Sequence, residues 1–134
     1  LARRHPATNF VAVTVPLTTV QSGPKAWIKR AIGTMPSQYM ENARRAEFNE
    51  RLRERYQATG RLFDLARAES TAMGEASNET SGGCCLVHVG GMAVETLNPE
   101  LSSDGGHLNE QGQKLAATAL LHVLGSLASR QVAR

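Results

Sequence analysis

One short run constrains this chain more than any other. Phe10-Val-Ala-Val-Thr-Val15 is almost unbroken apolar and β-branched sequence, and it stops at Pro16. A run without polar alternation fits a strand buried on both faces, as in a parallel sheet covered by helices. Pro16 has no N–H to give to a ladder, so Leu17 to Ser22 reads as a loop leaving the strand's carboxyl end. Parallel neighbours require a crossover, and the sequence supplies one. Asn42 to Ala58 reads as a helix in which Phe48, Leu52 and Tyr56 recur every four residues and form an apolar stripe. Glu41 with Arg45 and Glu47 with Arg51 are spaced as helix-neighbour ion pairs, and Gly60 is placed for a left-handed stop. Arg61-Leu-Phe-Asp-Leu-Ala66 then reads as a second strand. Strand, helix and strand make a βαβ unit with a right-handed crossover.

The remaining segments fill out an α/β pattern. Gly23-Pro24 opens a short helix, Lys25 to Ile32, that ends at Gly33, and Met35 to Met40 reads as an irregular connection. Glu69 to Ser81 is polar and turn-rich. Cys85-Leu-Val-His-Val89, between Gly82-Gly83 and Gly90-Gly91, reads as a small extra strand or hairpin arm, and Gly, Asn, Pro and Ser dominate from there to Gly106. Asn109 is a good N-cap for a helix from Glu110 to about Leu127. Leu115, Ala116, Ala119, Leu120, Val123, Leu124 and Leu127 give that helix a broad apolar face, predicted to be well buried against the sheet. Gly112 costs it about 1 kcal/mol relative to alanine, which close packing would justify. The expected fold class is α/β: a small, mainly parallel sheet flanked by helices, in one domain over residues 1–134.

Charge and composition narrow the function classes. Residues 1–67 hold 12 Lys and Arg against 5 Asp and Glu, a net +7, while residues 68–134 hold 3 against 7, a net −4. The arginines between Arg44 and Arg55 alternate with glutamates and have no aromatic stacking platform beside them. They read as a solvated helix face, and no nucleic-acid partner is assigned. The longest apolar stretch, Leu115 to Leu127, is interrupted by His122 and Gly125 and falls short of the ~18–20 residues of a membrane span. Cys84 and Cys85 are adjacent, a spacing that disfavours a disulfide because the ring is tiny, and no Cys-x-x-Cys is present. A zinc site drawing on Cys84, Cys85, His88, Asp104 and His107 has no second paired motif behind it, so no metal or cofactor is assigned. His88 reads as a strand residue, His5 and His122 as structural, Trp27 as a hydrophobic anchor, and Asp64 as a partner for a loop amide.

The chemistry concentrates in Ser103-Asp104-Gly105-Gly106-His107-Leu108-Asn109. A tight Gly-Gly turn lets the Asp104 carboxylate fold back to His107 Nδ1. That contact fixes the imidazole tautomer and frees Nε2 to act as a general base. The bland reading of the same residues is a turn in which Asp104 caps local amides and His107 is merely exposed.

Asp104-Gly-Gly-His107-Leu-Asn109, followed by Gly112 and an Ala/Leu-rich terminal helix, resembles the last conserved block of the SGNH (GDSL-like) hydrolases. Three earlier segments are similar to that family in the same order. They are the strand Phe10 to Val15 with Pro16-Leu17, the helix carrying Asn49 and Leu52 as N-x-x-L, and the strand Leu62 to Ala66. The resemblance implies a three-layer αβα, flavodoxin-like domain. It implies a serine-dependent ester hydrolase in which Asp104 orients His107, and His107 takes the serine proton and delivers it to the leaving alcohol. The implied substrate is a small ester or an acylated carbohydrate or lipid. The chain has no Gly-Asp-Ser, no Gly-x-Asn-Asp and no Gly-x-Ser-x-Gly. Ser22 lacks a nucleophile context, and Ser102 and Ser103 lie close to His107 in sequence. The expectation is therefore the C-terminal portion of such a domain. It would be inactive without the nucleophile segment and would have an open sheet edge prone to self-association. The alternative is a degenerate, non-enzymatic α/β interaction module.

Overall fold

A computed structural model describes residues 4–5, 8–20, 37–71, 85–89 and 91–132. The short helix predicted at Lys25 to Ile32, together with Ser22, Trp27 and Cys84, lies outside the described residues.

The parallel pairing is present but minimal. Strand β1 (Ala12–Val13) pairs parallel with β2 (Leu62–Phe63), Ala12 opposite Leu62 and Val13 opposite Phe63. The Ala12 and Thr14 N–H groups donate to the Arg61 and Phe63 carbonyls at 2.9 and 3.2 Å. Helix α1 (Ser37–Tyr56) lies between the two strands in sequence and packs on both. The doubly buried strand over Phe10 to Val15 is not found: Val13 is 47% exposed and Phe10 37%. Among the described residues the strand has one hydrogen-bonded neighbour, and what packs on its faces leaves Phe10 and Val13 partly open.

Asp64 ends β2 early. Its side chain accepts the Arg67 N–H and caps helix α2 (Leu65–Glu69), so Leu65 and Ala66, expected in a strand, are helical. Residues 86–95 form an antiparallel hairpin, β3 (Leu86–Val89) and β4 (Met92–Glu95), with Gly91 at φ 83° in its turn. The predicted arm at Cys85 to Val89 is thus real, and its partner strand fell in the stretch read as loop. Instead of one mainly parallel sheet, the described residues form one parallel pair and one antiparallel pair, because the hairpin pairs with itself. The mixed α/β class holds.

Helix α1 starts earlier than expected, inside the stretch read as an irregular connection, and ends as predicted. Gly60 (φ 66°) adopts the left-handed conformation and donates to the Gln57 carbonyl. Its buried face is not the predicted stripe. Phe48 is 51% exposed, whereas Tyr39, Asn42 and Asn49 are buried. Tyr39 packs with Val89 and Val94 of the hairpin, joined by Ala43 and Ala46. A second cluster, Leu17, Ala66, Leu97 and Leu101, receives Leu108 and Leu115.

The terminal helix α3 (Glu110–Val132) packs on α2 and β2. It is less buried than predicted: Leu127 is buried, but Leu121 and Leu124 are 66% and 45% exposed. Leu121 and Leu124 lie on the part of its apolar arc that these contacts leave uncovered. Gly112 is the point of closest approach, where a Cβ would lie 2.6 Å from the Leu101 carbonyl oxygen and 2.8 Å from Leu108. The packing reason anticipated for this glycine is therefore present. Among the described residues, no helix is long and apolar enough to cross a membrane.

Candidate active site

The predicted acid–imidazole contact forms. Asp104 Oδ2 lies 2.7 Å from His107 Nδ1, while Oδ1 accepts the N–H groups of Gly106 (2.9 Å) and His107 (2.8 Å). Those donors, first the Gly106 N–H and then the imidazole, hold the Asp104 carboxyl down at about 2. The carboxylate is therefore an acceptor only, so Nδ1 must carry the proton in the neutral ring and Nε2 presents its lone pair. The His107 side chain is 84% exposed, and among the described residues nothing hydrogen-bonds Nε2.

The turn is self-closing. Ser102 Oγ donates to the His107 carbonyl (3.0 Å) and accepts the Gly105 N–H (2.7 Å), and Ser103 N–H donates to the same His107 carbonyl. Ser102 therefore holds the turn together and is not placed as a nucleophile. Gly105 (φ 90°) occupies the left-handed region that makes the turn tight enough for an i,i+3 pair. Asn109 then caps α3, its Oδ1 accepting the Gly112 N–H at 2.9 Å while its Nδ2 donates to the Glu100 carbonyl. The N-cap prediction holds.

A buried polar ladder, which sequence reasoning missed, holds the loop after β1 beside this turn. Asn49 accepts the Val15 N–H (2.7 Å) and donates to the Val15 carbonyl (3.0 Å), and Asn42 does the same for Thr18 (3.1 and 2.7 Å). Glu69 Oε2 accepts the Leu17 N–H at 2.6 Å, and burial raises the Glu69 carboxyl. Thr19 finally bonds the Gly105 carbonyl through both its N–H (2.8 Å) and its hydroxyl (3.2 Å). The signal for this ladder was two asparagines seven residues apart, one helix face repeated after two turns.

Asp64 does more than bond a loop amide. It accepts from Thr14 Oγ1 and pairs in two bonds with Arg53, whose third nitrogen contact reaches Glu95 at 2.7 Å. Burial raises the Asp64 carboxyl, but Arg53 outweighs it and the net shift is downward. The guanidinium is shifted upward: burial works against its charge, and the two carboxylates outweigh the burial. This cluster borders a groove of about 610 Å³ between α1 and the hairpin, and neither dyad residue lines it.

The other sequence-level candidates fall away. Cys85 is disulfide-bonded, against the expectation from adjacent cysteines, which removes it from any zinc site. Among the described residues, no group of three His, Cys, Asp or Glu is placed to hold a metal. His88 is an exposed strand residue opposite Ala93, and His122 is exposed rather than packed. The Glu47–Arg51 pair forms at 2.7 Å, and Glu41–Arg45 is loose at 3.9 Å. No protein-family model, curated protein or solved structure matches the chain.

Proposed function

We propose that this chain carries the acid–base arm of an SGNH-type, serine-dependent ester hydrolase, as the C-terminal portion of a flavodoxin-like αβα domain. The observation that supports it most is the 2.7 Å Asp104–His107 contact, with Nδ1 as donor and Nε2 open. In that reading Nε2 takes the proton from a serine hydroxyl as the oxygen attacks the ester carbonyl. Asp104 stabilises the imidazolium that results, and the same proton then passes to the departing alkoxide. The serine and the oxyanion-hole donors would come from a segment or chain outside these residues. The substrate class is a small ester or an acylated carbohydrate or lipid.

The test is hydrolysis of an aryl acetate by a polypeptide in which this chain follows a Gly-Asp-Ser segment. His107→Ala is expected to lower kcat by about 10³-fold or more. Near-wild-type turnover in that variant refutes the assignment. Robust serine-dependent turnover by the 134-residue chain alone refutes the division of labour.

A further inference from the structure

We infer that Thr19 is a positioning residue for the Asp104–His107 dyad, acting by clamping the peptide plane between Gly105 and Gly106. The inference rests on the hydrolase reading and adds to it a residue outside the motif. A trans peptide is rigid and planar, with its carbonyl and N–H pointing in opposite directions. The Gly105 carbonyl and the Gly106 N–H belong to one such plane. Thr19 grips the carbonyl end with its N–H at 2.8 Å and its hydroxyl at 3.2 Å. Asp104 Oδ1 accepts the N–H end at 2.9 Å.

A rotation of this plane would therefore break the Thr19 bonds and the Asp104 bond together. Such rotations are easy at glycine, which has no Cβ to bar alternative conformations, and two glycines flank the plane. Without a clamp the turn would sample states in which the carboxylate loses a donor and turns away from Nδ1. Thr19 also fills the space behind the turn: a Cβ on Gly105 would lie 2.6 Å from Thr19 Oγ1. The clamp is itself held, because Asn42 pairs both backbone groups of the preceding residue, Thr18, and the Leu97 N–H donates to the Thr18 carbonyl at 3.1 Å. The path runs from α1 through the β1 loop to the dyad.

The test uses the 134-residue chain and reads the His107 tautomer from its ring ¹⁵N shifts above the imidazole's titration. Thr19→Val keeps the shape and the backbone bond but loses the hydroxyl. Its ratio of Nδ1–H to Nε2–H tautomer is expected to fall about threefold or more, the worth of one hydrogen bond. Thr19→Ala should behave alike, and Thr19→Ser should restore the wild-type ratio. Unchanged ratios in Val and Ala overturn the proposal, as does a Ser variant that matches Val. A further arm needs no variant: wild type should show scalar coupling across the hydrogen bond from Thr19 N to the Gly105 carbonyl carbon, and its absence also overturns the clamp. These signals report geometry and not turnover. A negative result here removes Thr19's role and leaves the hydrolase reading standing. A serine-bearing parent without esterase activity removes the reading and leaves these signals unchanged.

Discussion

Asn49 offers the sharpest test of how the site is held. Its side chain is fully buried and satisfies both backbone groups of Val15, at 2.7 and 3.0 Å. The Ala12 and Thr14 N–H groups point to β2, so the Val15 N–H points to the opposite edge, where the Asn49 amide takes up the backbone groups a neighbouring strand would use. Replacing Asn49 by Leu keeps the volume and strands both groups. A buried unsatisfied donor or acceptor costs ~1–3 kcal/mol, and because Val15 is only half-buried the low end applies to each, giving about 2 kcal/mol. Asn49→Ala adds the cost of a cavity and should reach about 3 kcal/mol. With a urea m-value of about 2 kcal/mol/M, these losses should lower the midpoints by about 1 M and 1.5 M; against a domain's ~5–15 kcal/mol, losses of about 2 and 3 kcal/mol are readily measured. Phe48→Ala is the control. A buried apolar stripe through Phe48 predicts a loss of ~3–5 kcal/mol there, whereas its 51% exposure predicts a change of about 1 kcal/mol or less. Urea unfolding of the three variants decides. Asn49→Leu within about 0.5 kcal/mol of wild type refutes the edge-pairing argument.

Three further outcomes follow from the same geometry. Gly112→Ala gains about 1 kcal/mol of helix propensity, but its Cβ would press on the Leu101 backbone oxygen at 2.6 Å; a net loss of ~1–3 kcal/mol in thermal or urea unfolding is expected. Glu69 has its folded carboxyl raised by burial, so its contribution to stability is present at low pH and is lost as pH rises through the folded value. Accordingly, the stability of wild type relative to Glu69→Gln should fall from acid to neutral pH, and a flat or opposite difference in parallel melts counts against the burial argument. Asp104→Asn keeps an oxygen for the Gly106 and His107 N–H groups but offers Nδ1 a donor, which favours the Nε2–H tautomer. Ring ¹⁵N shifts should show that inversion with stability almost unchanged, and kcat in an active parent should drop by up to about 10⁴-fold.

The contrast between what the sequence reveals and what it hides follows the range of the interactions. Asp104, Gly106 and His107 bond one another within four residues, and Ser102 closes the same turn, so spacing raises both the dyad and the bland turn, and the structure shows features of each: Asp104 caps two local amides and meets Nδ1, and His107 is exposed. Asn109 and Gly60 act on their own helix ends, and they too were legible. Helix periodicity located α1 but mistook its inner face, because the rule assumes that buried means apolar. Here the helix turns Asn42 and Asn49 inward as well as Tyr39, since along that line it meets the backbone groups of Val15 and Thr18. The apolar neighbours of Asp64 make Leu62 to Ala66 look like one strand, whereas the Asp64 carboxylate caps the helix that begins at Leu65.

The same division bears on the edge of β1. Among the described residues β1 has one neighbour, and a strand so placed is a template for association. The structure narrows that hazard, because the Asn49 amide occupies the backbone groups of Val15 that another strand would need. What remains is Val13, with its exposed side chain, two residues before the blocked position. The asparagine that orders the loop leading to Thr19 is therefore also the residue that shortens the open edge. Asn49→Leu should consequently do two things at once: loosen the approach to the dyad and lengthen the strand available for pairing. Sedimentation of that variant should show a larger associated fraction than wild type at equal concentration. An equal or smaller fraction would mean that the asparagine shapes the loop without guarding the edge.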